Sequence, residues 1–263
     1  MNMSFGDSSD LPLFVGLTTL PSRIQHMRQT LDSLMAQTRV PDRVLLCLPR
    51  MSRREGCVYE RPQWLADYAP ILEVVECKED WGPGTKLLGC LDHITQPTCL
   101  VIADDDMRYR PFFLEGLYRS QVADTASSFS YWAYPCGPFM VGQGADGFSF
   151  FSPNLAGMWP FANKALQSPQ LRVVDDLWIS AFLKHRGVAV KSIKHLIPDQ
   201  GLAYEVAHSV NQLQDMGGDL GRETAMIAGT RYLLESGLLG RQQQGSAILK
   251  KVARRAREAL MRK

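Results

Sequence analysis

The sequence predicts an α/β fold with a mostly parallel central sheet and helices on both of its faces. Three observations lead there. Short apolar runs alternate with amphipathic stretches four times within about 110 residues, a pattern that parallel strands joined by crossover helices produce. Each apolar run ends in polar or charged residues, as strands do where a ligand cleft opens. With 45% hydrophobic residues in 263, the chain can also bury one substantial core.

Taken in order, residues 13–18 read as a first buried strand, and residues 19–23 as a loop. Residues 22–37 read as a helix, with Ile24, Met27, Leu31 and Leu34 at helical spacing and Ser22 as its N-cap. A second strand covers residues 43–48, a short helix 62–68, a third strand 71–76, a helix 85–93 and a fourth strand 98–103. Beyond residue 123 the texture turns aromatic and glycine-rich. Residues 128–134 read as a strand and 142–147 as a mobile turn. Residues 148–161 supply aromatic rings that either pack in the core or face solvent as a sugar-contacting surface. The chain divides at 12–125, 126–235 and 240–263.

Composition excludes several classes. The net charge is +2, but residues 241–263 hold eight Lys/Arg against Glu258 alone, which leaves the rest of the chain at −5. An acidic body argues against nucleic acid as a partner. The tail itself, with Ile248, Leu249, Val252, Ala256, Ala259 and Leu260 at helical spacing, reads as a basic amphipathic helix. It is suited to an anionic membrane surface or an acidic protein partner, or is simply solvated. The six cysteines lack paired metal spacing and read as reduced, mostly buried thiols. No signal-like leader and no apolar run of about 18 residues is found, so the expected location is cytoplasmic, at most peripheral at the inner face of the plasma membrane.

Two acidic clusters carry the chemistry. Asp104, Asp105 and Asp106 follow the fourth strand. Strand alternation lets Asp104 and Asp106 point one way and Asp105 the other, and such carboxylates suit a hard divalent cation; a solvated turn capping the next helix is the plainer reading. Asp175 and Asp176 open a helical segment, where one of them is accounted for by capping, and the second is available as a general base. Thr18, Arg23 and Asp80 fall after other strand ends, so one cleft can collect them with the triplet.

These motifs together resemble GT-A-fold glycosyltransferases, and most closely bacterial enzymes that build surface polysaccharides such as capsule and O-antigen. The resemblance rests on Thr18-Thr-Leu-Pro-Ser-Arg-Ile24, Trp81-Gly-Pro-Gly-Thr-Lys-Leu87, the Asp104–Asp106 cluster with Tyr109, and Asp175-Asp-Leu-Trp178, in that order across residues 12–215. It implies a donor-binding half with an Asp-x-Asp motif over 12–125 and an acceptor-side half with the acid pair over 126–235. Asp106 would bind Mn²⁺ or Mg²⁺, with Asp104 sharing the metal or facing the ribose. Thr18, Arg23, Asp80, Lys86 and Asp105 would complete the donor site, and His208 is a candidate late metal ligand. Asp176 is similar to the base of inverting enzymes. This chain has Asp-Asp where the commonest pattern is Glu-Asp, which leaves the choice between Asp176 and Asp175 open. The implied partners are a nucleotide-diphosphate sugar and a glycan or lipid-linked glycan acceptor. A nucleotidyltransferase and a non-catalytic glycan-binding or scaffold protein remain the alternatives.

Overall fold

The computed structural model describes residues 11–199, 201–210 and 221–239, so the basic tail at 240–263 lies outside the described residues. Alternation along the strands sorts apolar residues into two cores, one on each face of the sheet. In β1 (Leu13–Leu17), Leu13, Val15 and Leu17 enter one core and Phe14 the other. In β2 (Arg43–Pro49), Val44, Leu46 and Leu48 join the first core while Leu45 and Cys47 join the second. Two-sided burial is what makes these strands read as continuous apolar runs, as parallel strands covered on both faces do.

Between them lies a short 3₁₀ turn, Ile24–His26, and then α1 (Arg28–Met35). The expected helix over 22–37 is thus shorter and starts later. Ser22 does not cap it, because its hydroxyl is turned to Glu55 and donates to Oε1 at 2.5 Å. The segment before β3 (Leu72–Cys77) is a 3₁₀ helix, Gln63–Tyr68. The expected helix over 85–93 is broken into 3₁₀ turns at Gly82–Gly84 and Leu91–His93 around α2 (Thr85–Leu88). Glycine decides where α2 sits: a Cβ on Gly16 of β1 would stand 2.2 Å from the Lys86 carbonyl oxygen, so only glycine lets this turn lie directly on the sheet.

The chain continues through β4 (Cys99–Ile102), β5 (Met107–Tyr109), α3 (Phe113–Ala123), β6 (Ser127–Ser130), β7 (Ala133–Cys136), β8 (Phe139–Gly142) and β9 (Phe148–Phe151). After these come α4 (Met158–Ala165), α5 (Asp175–His185), β10 (Ala189–Ser192), β11 (Tyr204–Val206) and α6 (Arg222–Glu235). The strand expected over 128–134 is therefore two strands in different sheets. The central sheet has seven strands in the order β10-β6-β9-β4-β1-β2-β3. It is parallel except for β9, which runs antiparallel to both of its neighbours. Two small antiparallel pairs, β5 with β11 and β7 with β8, stand outside it.

In the aromatic region one open reading is decided and one expectation is corrected. Phe148 and Phe150 are fully buried in β9, and Phe161 packs edge-on against Phe182, so these rings form core and not a sugar-facing surface. Residues 142–147, read as a mobile turn, are buried throughout and follow β8 into the heart of the molecule. A run of glycines signals absent side chains, and here the room is taken up by close packing: Gly147 sits against Phe113 and Leu117.

Candidate active site

The carboxyl ends of β1, β2 and β4 converge on a group of charged side chains that burial alone would forbid. Asp105 and Asp106 are nearly enclosed, and both pair with the single guanidinium of Arg23, whose Nη2 lies 2.6 Å from Asp105 Oδ1. Strand alternation does not hold here, because β4 ends at Ile102 and the triplet lies in a turn. Asp105 is further held by the Thr19 hydroxyl, and its carbonyl accepts from Thr30 Oγ1 at 2.7 Å. Asp106 Oδ1 is buried with no hydrogen-bond partner among the described residues. Burial raises both carboxyls; for Asp106 the neighbouring Asp105 and Asp104 add to it, and despite Arg23 the group is raised to about 6.

Asp104 faces elsewhere. Its Oδ1 lies 2.6 Å from Lys86 Nζ, and its backbone N–H donates to the Tyr109 hydroxyl at 2.8 Å. Lys86 reaches on to Asp175 Oδ2 at 3.1 Å, so one ammonium joins the triplet to the acid pair. Burial works against that charge, but Asp104, Asp175 and Asp176 outweigh it and hold the ammonium above the ordinary lysine range. Asp175 and Asp176 begin α5 without capping it, since no side chain caps its N-terminus. Asp176 Oδ1 instead accepts from the Gly144 N–H at 2.9 Å, and its Oδ2 lies 3.9 Å from Arg222 of α6. Burial and then Asp175 push Asp176 up to about 7, against Lys86 and Arg222.

His208 arrives by strand pairing. β11 lies antiparallel to β5, with Tyr204 opposite Tyr109 and Val206 opposite Met107, and the Ala207 N–H donates to the Asp106 carbonyl at 2.7 Å. That register delivers the imidazole beside Asp106, whose charge raises it against the stronger lowering by burial and by Arg23. Its ring also lies 5.4 Å from that of His26.

Of the residues singled out in the sequence, the structure gathers Arg23, Lys86, Asp104, Asp105, Asp106, Asp175, Asp176 and His208. Thr18 and Asp80 stand at the rim with their side chains engaged. Thr18 Oγ1 donates to the Cys47 carbonyl at 2.7 Å, and the Asp80 carboxylate accepts from the Arg53 and Gly82 backbone N–H groups, both at 2.7 Å. Sequence reasoning missed Thr19, Gly144 and Arg222. Thr19 was visible as the neighbour of Thr18; no local signal marks Gly144 or Arg222, which long-range packing alone brings in.

No three His, Cys, Asp or Glu side chains converge as a ready-made metal cage among the described residues, because Arg23 and Lys86 occupy their oxygens. The donor set nevertheless fits a hard divalent cation bound together with a substrate diphosphate, a mode that needs only one or two protein carboxylates. Asp106 offers an unspent buried oxygen, Asp104 a partly open carboxylate, and His208 an imidazole. A separate open groove of about 520 Å³ lies at the amino end of β4, lined by Leu91, Pro97, Leu155 and Trp159, away from all of these acids.

A mostly parallel sheet with acids gathered at its strand ends and a second acid pair on a following helix defines the GT-A-like class of α/β fold. Solved structures that share it include the following two. The chain is similar to the mannosyltransferase PcManGT from Pyrobaculum calidifontis, in complex with GDP-Man and Mn²⁺, with a TM-score of 0.55 and 16% identity over 97% of this chain and 76% of that one. It is similar also to S. aureus TarS, with a TM-score of 0.56 and 12% identity over 93% of this chain, and it spans 43% of the TarS chain. At these identities the likeness is one of fold. No protein-family model matches the chain, and no curated protein sequence does either. Among the described residues, no helix is long and apolar enough to cross a membrane.

Proposed function

We propose that the protein is a glycosyltransferase that moves a sugar from a nucleotide-diphosphate donor to a hydroxyl of a glycan or lipid-linked glycan acceptor, with inversion. One observation carries the reading: Lys86 bridges Asp104 of the triplet to Asp175 of the acid pair, so a cation-binding acid cluster and a poised base share one buried centre at the strand ends. The fold neighbour in complex with GDP-Man and Mn²⁺ supports the donor class and the use of a divalent cation.

Asp106 and Asp104, with His208, would hold Mn²⁺ or Mg²⁺, which when bound neutralises the diphosphate of the leaving group. The chain's own residues do the remainder. Arg23 and Lys86 supply positive charge on either side of the triplet, and Lys86 faces the developing charge of the departing diphosphate. Asp176 accepts the proton of the acceptor hydroxyl as its oxygen bonds to the anomeric carbon and the sugar–phosphate bond breaks. Its raised pKa suits that task near neutrality, and the Gly144 N–H fixes one carboxylate oxygen so that the other faces outward beside Arg222. Asp175, spent on Lys86, is the positioning partner. We place the enzyme in the cytoplasm, acting on surface-polysaccharide precursors.

The test is a screen of UDP-, GDP-, TDP- and CMP-sugars with and without Mn²⁺, following release of the nucleotide product. Release of nucleoside diphosphate supports the proposal. Pyrophosphate release in a parallel assay with nucleoside triphosphates and sugar 1-phosphates would mark a nucleotidyltransferase, and glycan binding without turnover a non-catalytic protein.

A further inference from the structure

Outside the acid centre, the structure places two arginines together at one lip of the cleft without giving either a carboxylate. Arg53 belongs to the loop after β2, and Arg172 lies three residues before Asp175. Asp80 draws them together: Oδ2 accepts from the Arg53 N–H and Oδ1 from the Gly82 N–H, each at 2.7 Å. Gly82 in turn lies directly on the Arg172 backbone, since a Cβ there would stand 2.0 Å from the Arg172 carbonyl oxygen. With φ at +64°, this position favours glycine twice over. The contact brings the segments carrying the two arginines together, close enough for the charge of Arg53 to bear on Arg172.

Neither cation has an ion-pair partner among the described residues, and Arg172 Nη1 is buried with no hydrogen-bond partner there. None of the nearby acids pairs with them: both Asp80 oxygens accept backbone N–H groups, Glu76 serves Arg50 and Arg61, and Asp80 and Glu79 act on Arg172 only through their fields. Burial, and then Arg53, lower the Arg172 pKa. Like charges held together in a partly enclosed place cost free energy until an anion lies between them, and guanidinium forks match phosphate oxygens in geometry as well as charge.

We propose that Arg53 and Arg172 form a phosphate-binding subsite, and that the phosphate it takes belongs to the acceptor. The acceptor assignment rests on the glycosyltransfer reading; the anion site itself does not. The donor diphosphate already has Lys86, Arg23 and a cation at Asp104 and Asp106. Arg172, by contrast, lies on the strap that leads into α5 and so shares the segment that carries the base. An acceptor bearing a phosphomonoester or phosphodiester near its reactive hydroxyl would be anchored there, with that hydroxyl presented to Asp176.

The experiment is a calorimetric titration of the full-length protein with inorganic phosphate, repeated on Arg172→Gln, Arg53→Gln and Lys86→Gln, each checked for folding by circular dichroism. Arg53 is exposed, so its variant keeps the test decisive if Arg172→Gln fails to fold. A charge-assisted hydrogen bond is worth about 1.5–3 kcal/mol, so each arginine variant should weaken phosphate binding about tenfold or more. A parallel titration with GDP and UDP in Mn²⁺ should give the same affinities for the arginine variants as for wild type. Absence of saturable phosphate binding by the wild type would overturn the site, as would phosphate affinity lost in Lys86→Gln but kept in both arginine variants. Nucleoside diphosphate affinity falling in step with phosphate affinity would overturn the acceptor assignment and give the site to the donor. Should no nucleoside diphosphate bind the wild type, the glycosyltransfer reading fails, while the phosphate titration still decides the subsite.

Discussion

The two acidic clusters differ in how their charges are held. Asp105 and Asp106 are kept by Arg23 and Thr19, which follow β1 directly, so the triplet is stabilised within the first half of the chain. Asp176 is kept by Gly144, from a buried loop 32 residues away, and by Arg222 of α6. Both clusters depend on long-range packing: the first needs β1 and β4 side by side, and the second needs the loop after β8 and α6 brought onto the start of α5. Lys86 forms an ion pair with a carboxylate of each. The contrast predicts that damage to the triplet shows in donor and cation binding, whereas damage around the pair shows in transfer.

The largest effect should come from Asp176→Asn. Loss of a positioned general base costs about 10²–10⁴ in rate, with donor affinity by calorimetry unchanged. A parallel loss of donor binding would erase the distinction between the clusters. Asp106→Ala should do the reverse, abolishing the Mn²⁺ dependence of donor binding. His208→Ala should weaken it in the same direction, by about 10–100-fold if the imidazole tunes the metal site. Donor affinity in Asp106→Ala that still responds to Mn²⁺ as in wild type would remove Asp106 from the cation site.

Gly82→Ala tests the seam between the halves. Its Cβ would collide with the Arg172 backbone at a left-handed φ, so a loss of about 1–3 kcal/mol in thermal or denaturant stability is expected. The pH profile sharpens the pair alone. Asp176 must be ionised to accept a proton, so transfer should be low at acid pH and rise through about pH 7 to a plateau. Arg222 favours the ionised form, and Arg222→Gln should move that inflection to higher pH without altering donor affinity. A profile flat from pH 5 to 9 would argue against Asp176 as the base.

Much of this was legible in the sequence because its signals are local. Strands β1, β2 and β4 are continuous apolar runs since both faces are covered, and the acids after β4 mark the cleft. The helices around α2 were less legible. Glycines and 3₁₀ turns break the period there, and what places Lys86 is the absence of a side chain at Gly16 on another strand. The aromatic run over 148–161 left two readings open for a related reason: an antiparallel strand buried on both faces looks, in composition, like a ring-rich surface. Its burial depends on β4 and β6 lying on either side.

The sequence by itself determined the α/β alternation and the positions of both acid clusters, since each follows from residue type and short-range spacing. The tertiary structure decided which charges share a site. It gave Asp105 and Asp106 one guanidinium, brought His208 to Asp106 through the register of β11 on β5, and set Gly144 and Arg222 on Asp176. Those pairings join residues far apart in the chain, and their strength comes from burial, which no local pattern encodes.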